Sequence, residues 1–266
     1  TLTEDLTWYL EKIRTKGWLP NFYCSVAHLL SVEAKFFAAY GGWAWVEVDG
    51  YTFLPPVPYH PRPTKVPPIN IIYTDLGGWE PYPGWVSEDW DWEYIYDPVA
   101  FRDMSGGKWE IFRKNTRKWP KRNGEAILVP FSTRYKEDSL KLAGEWLEAH
   151  EEGFHDPESL VSYLFSGNAN VKVLVKEANP EVVLGLVGWD RNYEYTNFRY
   201  VLSRPGEAFL DEYARLLFYT DSEIHRGLLV NDGGTLDNPN LERFKDKLNP
   251  ISKRRVKTWR RMDNGS

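Results

Sequence analysis

Apolar residues Leu2, Leu6, Tyr9, Leu10 and Ile13 recur at helical spacing and the pattern stops at Gly17, which predicts an amphipathic helix near the start of the chain. A second apolar stretch runs from about Val26 to Tyr40 and ends at Gly41-Gly42. The period then changes. Trp43–Val48 and Tyr51–Leu54 flank Asp49-Gly50, a strong two-residue hairpin signal. The seven prolines from Pro55 to Pro68 exclude a helix or an inner strand, so an extended loop is expected before a short strand at Ile69–Tyr73.

Lys108–Asn123 reads as a basic helix broken near Pro120 and ending at Gly124, followed by an apolar strand at Ala126–Phe131. From there the order becomes regular. Helices at about 137–152 and 157–166 lead to strands at 171–177, 181–189 and 193–203, joined by tight turns. A loop at 204–206, a helix to about 220, a strand at 227–230, a Gly233-Gly234 turn, a helix at 239–248 and a strand near 256–259 complete the pattern.

Composition sharpens two regions. Aromatic residues make up 16% of the 266 residues, too many for a disordered chain, and residues 74–101 concentrate eight of them among seven acids with no Lys or Arg. That segment reads either as a pocket wall for a cationic or planar ligand or as a long loop held down by its own rings. The net charge is −5, yet residues 112–122 and 253–261 hold six basic residues each and no acid. Such segments suit a polyanionic partner, tRNA or DNA, although two solvated faces would read the same way.

Several classes drop out. No apolar run approaches the length of a membrane span, the longest being Val182–Trp189, and no basic-then-apolar leader opens the chain. The single cysteine, Cys24, excludes an internal disulfide framework and a multi-cysteine zinc site, so a reducing, cytoplasmic setting is expected. Cys24 lies in a predicted helix without charged neighbours and is expected in the core. His28, His60, His150, His155 and His225 lack metal-ligand spacing, so no metal is expected. Nucleophile-elbow and glycine-rich phosphate motifs are absent.

What remains is the junction from Tyr200 to Ala208, a strand that passes through Ser203-Arg204-Pro205-Gly206-Glu207 into a helix. Free N–H groups and the dipole at that helix start make a phosphate site, unless the segment is a plain connection. The element order from about 137 to 260 resembles the GNAT acyltransferase fold, in which this loop cradles the pyrophosphate of acyl-CoA. A sharper resemblance is to the Fem-type aminoacyl transferases and the C-terminal domain of phosphatidylglycerol lysyltransferases. It rests on Phe112-Arg113-Lys114-Asn115-Thr116-Arg117-Lys118, on Val230-Asn231-Asp232-Gly233-Gly234, and on Leu241 to Pro250 with its Phe244-Lys245-Asp246-Lys247.

The resemblance implies an α+β fold with a GNAT-like mixed, mostly antiparallel sheet flanked by helices, in two halves at 1–125 and 126–266. Arg204, Gly206, Glu207 and Ala208 would then hold the donor, with a backbone N–H of Val201 or Leu202 facing the oxyanion. Lys245 would supply positive charge near the reacting centre, and Phe244 stands nearest the place where many acetyl-transferring members carry a Tyr acid. Tyr200 is a candidate acid, Glu194 a candidate base, and Asn231 a bridge between strands. Arg204-Pro205-Gly206 has one residue fewer between Arg and Gly than the usual acyl-CoA loop. Arg113, Lys114, Arg117, Lys118 and Arg254 are the candidate nucleic-acid contacts.

The expected activity is transfer of an acyl group, acetyl from acetyl-CoA first, to a primary amine on a small molecule or polymer. The alternatives are an aminoacyl-tRNA donor, an inactive module that binds nucleic acid, and an acyltransferase whose acceptor is an amine of a modified nucleic acid.

Overall fold

The acidic aromatic segment and the second basic segment, far apart in sequence, are neighbouring strands. In the computed structural model, which describes residues 1–150 and 156–262, Trp85–Tyr96 is a twelve-residue strand paired antiparallel with Ser252–Arg261. Arg254 meets Glu93 at 2.8 Å, Arg255 meets Asp89 at 3.3 Å and Arg260 meets Glu88 at 3.0 Å. Opposite charges across a ladder favour this register over its slips. The expected loop at 85–96 is thus a strand, and the basic segment is largely answered from within the chain.

The chain begins with α1 (Leu2–Thr15), closed by a capping box of Thr1 and Glu4, and α2 (Val26–Ser31), capped by Ser25. The apolar stretch 26–40 divides. Glu33 turns the chain at φ 52°, and Lys35–Tyr40 forms β1, where Phe36 and Phe37 sit opposite Val46 and Trp45. Strands β2 (Trp43–Val48), β3 (Tyr51–Thr52) and β4 (Val57–Pro58) complete a four-stranded sheet, with Asp49 and Gly50 both at positive φ in the hairpin turn. Leu6, Tyr9 and Ile13 of α1 share a core with Trp45, Val46 and Leu54.

Among the described residues the main sheet has eight strands: β5 (Ile71–Ile72), β6 (Trp85–Tyr96), β7 (Ala126–Pro130), β8 (Asn170–Lys176), β9 (Asn179–Arg191), β10 (Tyr195–Ser203), β11 (Leu229–Asn231) and β12 (Ser252–Arg261). Their spatial order is β5-β12-β6-β11-β10-β9-β8-β7, and only β10 and β11 pair in parallel. β6 lies between β11 and β12, so the sheet runs across the expected division at 125/126.

Helices α3 (Ala100–Asp103), α4 (Glu110–Asn123), α5 (Lys136–Ala149), α6 (Pro157–Phe165), α7 (Leu210–Thr220), α8 (Ser222–His225) and α9 (Pro239–Lys247) flank this sheet. Leu186 and Val187, adjacent on β9, show the two layers: Leu186 packs with α5 and α6, Val187 with Phe112 of α4 and Phe218 of α7. α4 continues through Pro120, which sits in its last turn, because buried Trp119 stacks on Tyr213 at 5.6 Å and holds that turn in place. The expected helix residues 151–152 and His155 lie outside the described residues. Among the described residues no helix is long and apolar enough to cross a membrane.

His225 is buried under α7, with Nε2 2.8 Å from the Phe218 carbonyl and no partner for Nδ1 among the described residues. Burial pulls its pKa down to about 4. Protonation therefore favours the unfolded chain, whose histidine titrates near about 6.5. The stability contributed by the neutral ring is complete above that value and declines as pH falls toward about 4, by roughly 3 kcal/mol in all. His28, whose pKa burial lowers in the same way, adds a decline of the same sign; urea unfolding over that range should show the sum, and His225→Gln should reduce it.

Candidate active site

The parallel pairing of β10 and β11 lasts three residues, Tyr195↔Leu229, Thr196↔Val230 and Asn197↔Asn231. Beyond it the two chains part. The continuation of β11 follows β6, with the Asp232 N–H donating to the Tyr94 carbonyl at 3.0 Å and the Gly233 carbonyl accepting from the Tyr94 N–H at 3.1 Å. β10 instead stays with β9 as far as Ser203. Its register slips between Phe198 and Tyr200, which leaves Arg199 as the bulged residue beside the opening. The Arg204 N–H donates to the Leu184 carbonyl at 2.8 Å. Antiparallel bonding alternates along the strand, so Leu202 N–H belongs to the β9 ladder and Val201 N–H faces the cleft. Of Val201 and Leu202, the register leaves only the Val201 N–H outside the β9 ladder.

A buried carboxylate sits at the floor of this cleft. Asp232 is 6% exposed and its Oδ2 accepts from Arg215 at 2.9 Å and from the Tyr219 hydroxyl at 2.8 Å. Lys245, 4% exposed, lies 3.4 Å from Oδ1 and donates to the carbonyls of Asp232, Gly233 and Gly234. Burial pulls the Lys245 pKa down, opposed by Asp232, whereas Asp232 and Asp211 hold that of Arg215 above its ordinary range against the effect of burial. All three Lys245 protons have acceptors within the loop, so its ammonium ties α9 to the end of β11. Gly234 is required there, since a Cβ would stand 1.8 Å from the Asp91 carboxylate that accepts the N–H groups of Thr235 and Leu236 at 2.9 Å.

The loop after β10 opens a groove of about 600 Å³ lined by Val201, Ser203, Arg204, Gly206, Asp211 and Arg215, with Trp146 and His150 of the α5 end opposite. Gly206 takes φ 82°, and α7 starts at Phe209 without a side-chain cap. Acidic groups crowd this helix start: Glu207 accepts from Trp119 Nε1 at 3.2 Å, and Asp211 and Glu212 occupy the first turn. Arg204 turns back to the Val183 carbonyl, and Ala208 is exposed at the rim.

α4 lies alongside. Lys118 Nζ sits 4.1 Å and the Arg122 guanidinium 5.8 Å from the Phe209 ring, so the basic helix borders the loop directly. Arg113 is turned to the carbonyls of Met104 and Gly106. Lys114, Arg117 and Lys121 are exposed, and among the described residues none of them, nor Lys118 or Arg122, forms an ion pair.

Of the remaining expected residues, Asn231 stands where the strands part and the others lie elsewhere. Tyr200 faces α6, its ring 5.4 Å from Tyr163, and burial raises its pKa to about 12. Glu194 lies in the turn before β10, roughly 20 Å from Val201 at the rise of an extended strand, too far to take a proton there. Asn231 joins β11 to β6 by donating to Glu93 at 3.1 Å, and its Oδ1 accepts from Gly233 N–H at 2.9 Å. Arg254 is held by Glu93 and the carbonyls of Leu19 and Pro20, which withdraws it from a nucleic-acid surface. Cys24 is buried, its thiol pKa pushed up to about 12 by burial.

Asp232 stands in the sequence motif without an expected role, and Arg215, Asp190 and Arg199, which no motif contains, join it here. Asp190 accepts from Tyr163 at 2.8 Å, Asn197 at 2.7 Å and Arg199 at 2.7 Å, all beneath the bulge. An acid closing the apolar run Val182–Trp189 and an Arg inside a strand were the available signals. Among the described residues no group of His, Cys, Asp or Glu is placed to hold a metal ion.

Lys245→Met should remove a charge whose partners stay buried, and is expected to lower the unfolding free energy by about 3–5 kcal/mol in urea titrations. A cost under about 1 kcal/mol, that of an exposed lysine, would contradict the tie between α9 and β11.

No protein-family model and no curated protein sequence matches the chain. Solved structures do resemble it. L-PGS from Bacillus licheniformis superposes with a TM-score of 0.62 at 17% identity, covering 97% of this chain and 92% of that one. The C-terminal domain (DUF2156) of a "putative lysylphosphatidylglycerol synthetase" from Agrobacterium fabrum gives 0.63 at 13% identity, covering 98% and 92%. A conserved protein of unknown function from Bacteroides thetaiotaomicron gives 0.64 at 10% identity, covering 91% and 90%. At such identities the likeness is one of fold: the chain shares the architecture of L-PGS and of the Agrobacterium domain over nearly its whole length.

Proposed function

We propose that the protein is an acyltransferase that draws its acyl group from a polyanionic donor, an aminoacyl-tRNA, and passes it to a primary amine. The observation that carries this reading is the unpaired basic face of α4, joined to the cleft entrance through Lys118 and Arg122 on Phe209. Phosphates of a long donor would lie along Lys114, Arg117 and Lys121 while its acylated end enters between β10 and β11. The fold shared with lysylphosphatidylglycerol synthetase, whose name specifies a lysyl group, favours an aminoacyl over an acetyl donor. Acetyl-CoA is the weaker reading. Its pyrophosphate would meet Glu207, Asp211 and Glu212 at the loop, with Arg204 turned away.

In this mechanism the amine nitrogen attacks the ester carbon, and the oxygen that gains charge faces Val201 N–H. The carbon–oxygen bond to the ribose then breaks, and the proton lost by the amine ends on the ribose oxygen. Lys245 and Arg215 flank Asp232 on the floor of the cleft, and Asp211 holds Arg215 from its other side, so the two cations are balanced by two carboxylates. The charge expected of Lys245 is thus used within the fold: it fixes the loop that shapes the cleft and makes no contact with the reacting atoms.

Binding of uncharged tRNA should weaken steeply with salt. Charge reversal at Lys114→Glu, Arg117→Glu and Lys121→Glu together should lower the slope of log affinity against log salt by about 2–3. A saturable thermal shift with acetyl-CoA, together with no binding of tRNA, would overturn the proposal in favour of the CoA donor.

A further inference from the structure

Two rings of β6 carry cations of their own chain. The Arg255 guanidinium lies 4.0 Å over Trp92 and Lys253 Nζ 4.9 Å over Tyr94, each reaching across from β12. Trp90 does not share this arrangement. The β6–β12 register slips around it: Val256 pairs with Asp91 and Lys257 with Asp89, so Trp90 has no opposite residue on β12. Side chains alternate along β12, which puts Lys257 on the face of Arg255 and Trp92, whereas Trp90 turns with Asp91 to the other face.

On that face Trp90 meets rings from other segments. Its centroid is 5.4 Å from Tyr23 and 5.3 Å from Tyr73, and Tyr73 stands 6.5 Å from Tyr51 and stacks on Phe53 at 6.0 Å. Tyr73 is 37% and Tyr51 54% exposed, while Trp90 and Tyr23 are half-buried. Among the described residues no Lys or Arg lies over any of these four rings. The inner end of the ledge reaches the cleft: Phe22 is 5.6 Å from Tyr23, and a Cβ on Gly233 would come within 2.9 Å of it.

Charge separates the occupants such a ledge could take. Asp91 accepts from the N–H groups of Trp92, Thr235 and Leu236, and Asp75 from Lys257 N–H and Trp259 Nε1. Those donors are neutral, and neither acid forms an ion pair among the described residues, so both keep their negative charge. Glu93, by contrast, is met by Arg254. The Tyr23 hydroxyl is held above its ordinary pKa first by burial and then by Glu93 and Asp91, with Arg199 opposing, which marks the surroundings of that ring as negative. A neutral group would gain from the rings alone. An organic cation gains from the ring faces and the acids together.

We propose that the ledge Tyr51–Tyr73–Trp90–Tyr23 binds an organic ammonium ion, the charged part of the amine acceptor. Its service to the acceptor rests on the acyl-transfer reading above; the binding of the cation does not. An ammonium has no lone pair with which to attack, so the nitrogen held over the rings is not the one that reacts. The acceptor therefore carries a second nitrogen, which passes Phe22 to the cleft in its neutral form.

The test is a ligand-observed NMR titration with choline and with 3,3-dimethylbutanol, which has the same shape without the charge. Choline should bind saturably and more tightly than the alcohol. Trp90→Ala and Tyr73→Ala should each weaken choline binding by roughly 2- to 30-fold, the worth of one cation–ring contact, while Trp90→Phe keeps most of the affinity. Tyr73→Ala, at an open ring, serves alone where melting shows that Trp90→Ala fails to fold. Equal affinity for choline and the alcohol, ring variants that bind choline like the parent, or no saturable binding of choline would each overturn the proposal. Spermidine, with more than one nitrogen, should displace bound choline; failure to displace it would overturn the acceptor role and leave the cation site. Failure of tRNA binding with choline binding intact would overturn only the aminoacyl-tRNA donor.

Discussion

The cleft exists because a single carboxylate, Asp232, is buried where β11 leaves β10. Its partners come from three directions: Arg215 and Tyr219 from α7, and Lys245 from α9. Unpaired, such a charge would cost several kcal/mol; paired, it fixes the positions of everything it touches. The same loop is bonded to β6 through Tyr94 and to Glu93 through Asn231. β11 is thereby drawn toward β6, and β10, held by β9 on its other edge, has no strand to follow it beyond Asn197. Separation of two parallel strands, normally an unsatisfied defect in a sheet, is here imposed by side chains on one of them.

That constraint also sorts the roles of the charged residues. Lys245 and Arg215 are not free reagents; their donors are directed into the fold and their charges are met by Asp232 and Asp211. Three of the six basic residues of β12 are answered by acids of β6 and a fourth by Asp246, whereas no basic residue of α4 forms an ion pair among the described residues. Two segments of equal basicity therefore differ in kind. Only one is available to a partner.

This difference marks where the sequence was legible. The order of elements from Ala126 to Arg261, the Asn231-Asp232-Gly233-Gly234 turn and the Lys245 helix could be read, because periodicity and turn chemistry are local. β6 could not. Asp91 and Glu93 point inward to backbone N–H groups and to Arg254, and Trp90 bulges, so neither the apolar alternation nor the two-residue period of a strand survives in Trp85–Tyr96. Tyr200 and Glu194 lie away from the cleft for different reasons: the bulge at Arg199, which only pairing with β9 reveals, sets the layer that Tyr200 faces, whereas Glu194 belongs to the turn before β10. Arg199 and Asp190 depend on partners up to 174 residues away, which no local pattern encodes.

The position of β12 has a consequence for how the chain comes together. β6 and β12 are the two most extensively paired neighbours in their half of the sheet, yet more than 150 residues of chain separate them. As the polypeptide emerges in order, β6 must stand for that whole interval with a long edge unpaired, and non-local pairings of this kind form slowly. An apolar edge would recruit other chains during the wait. Glu88, Asp89, Asp91 and Glu93 instead line it with like charge, which repels a second copy of itself and accepts only a strand as basic as Ser252–Arg261. The acids that disguise β6 in the sequence are thus what keeps its place open for the right partner.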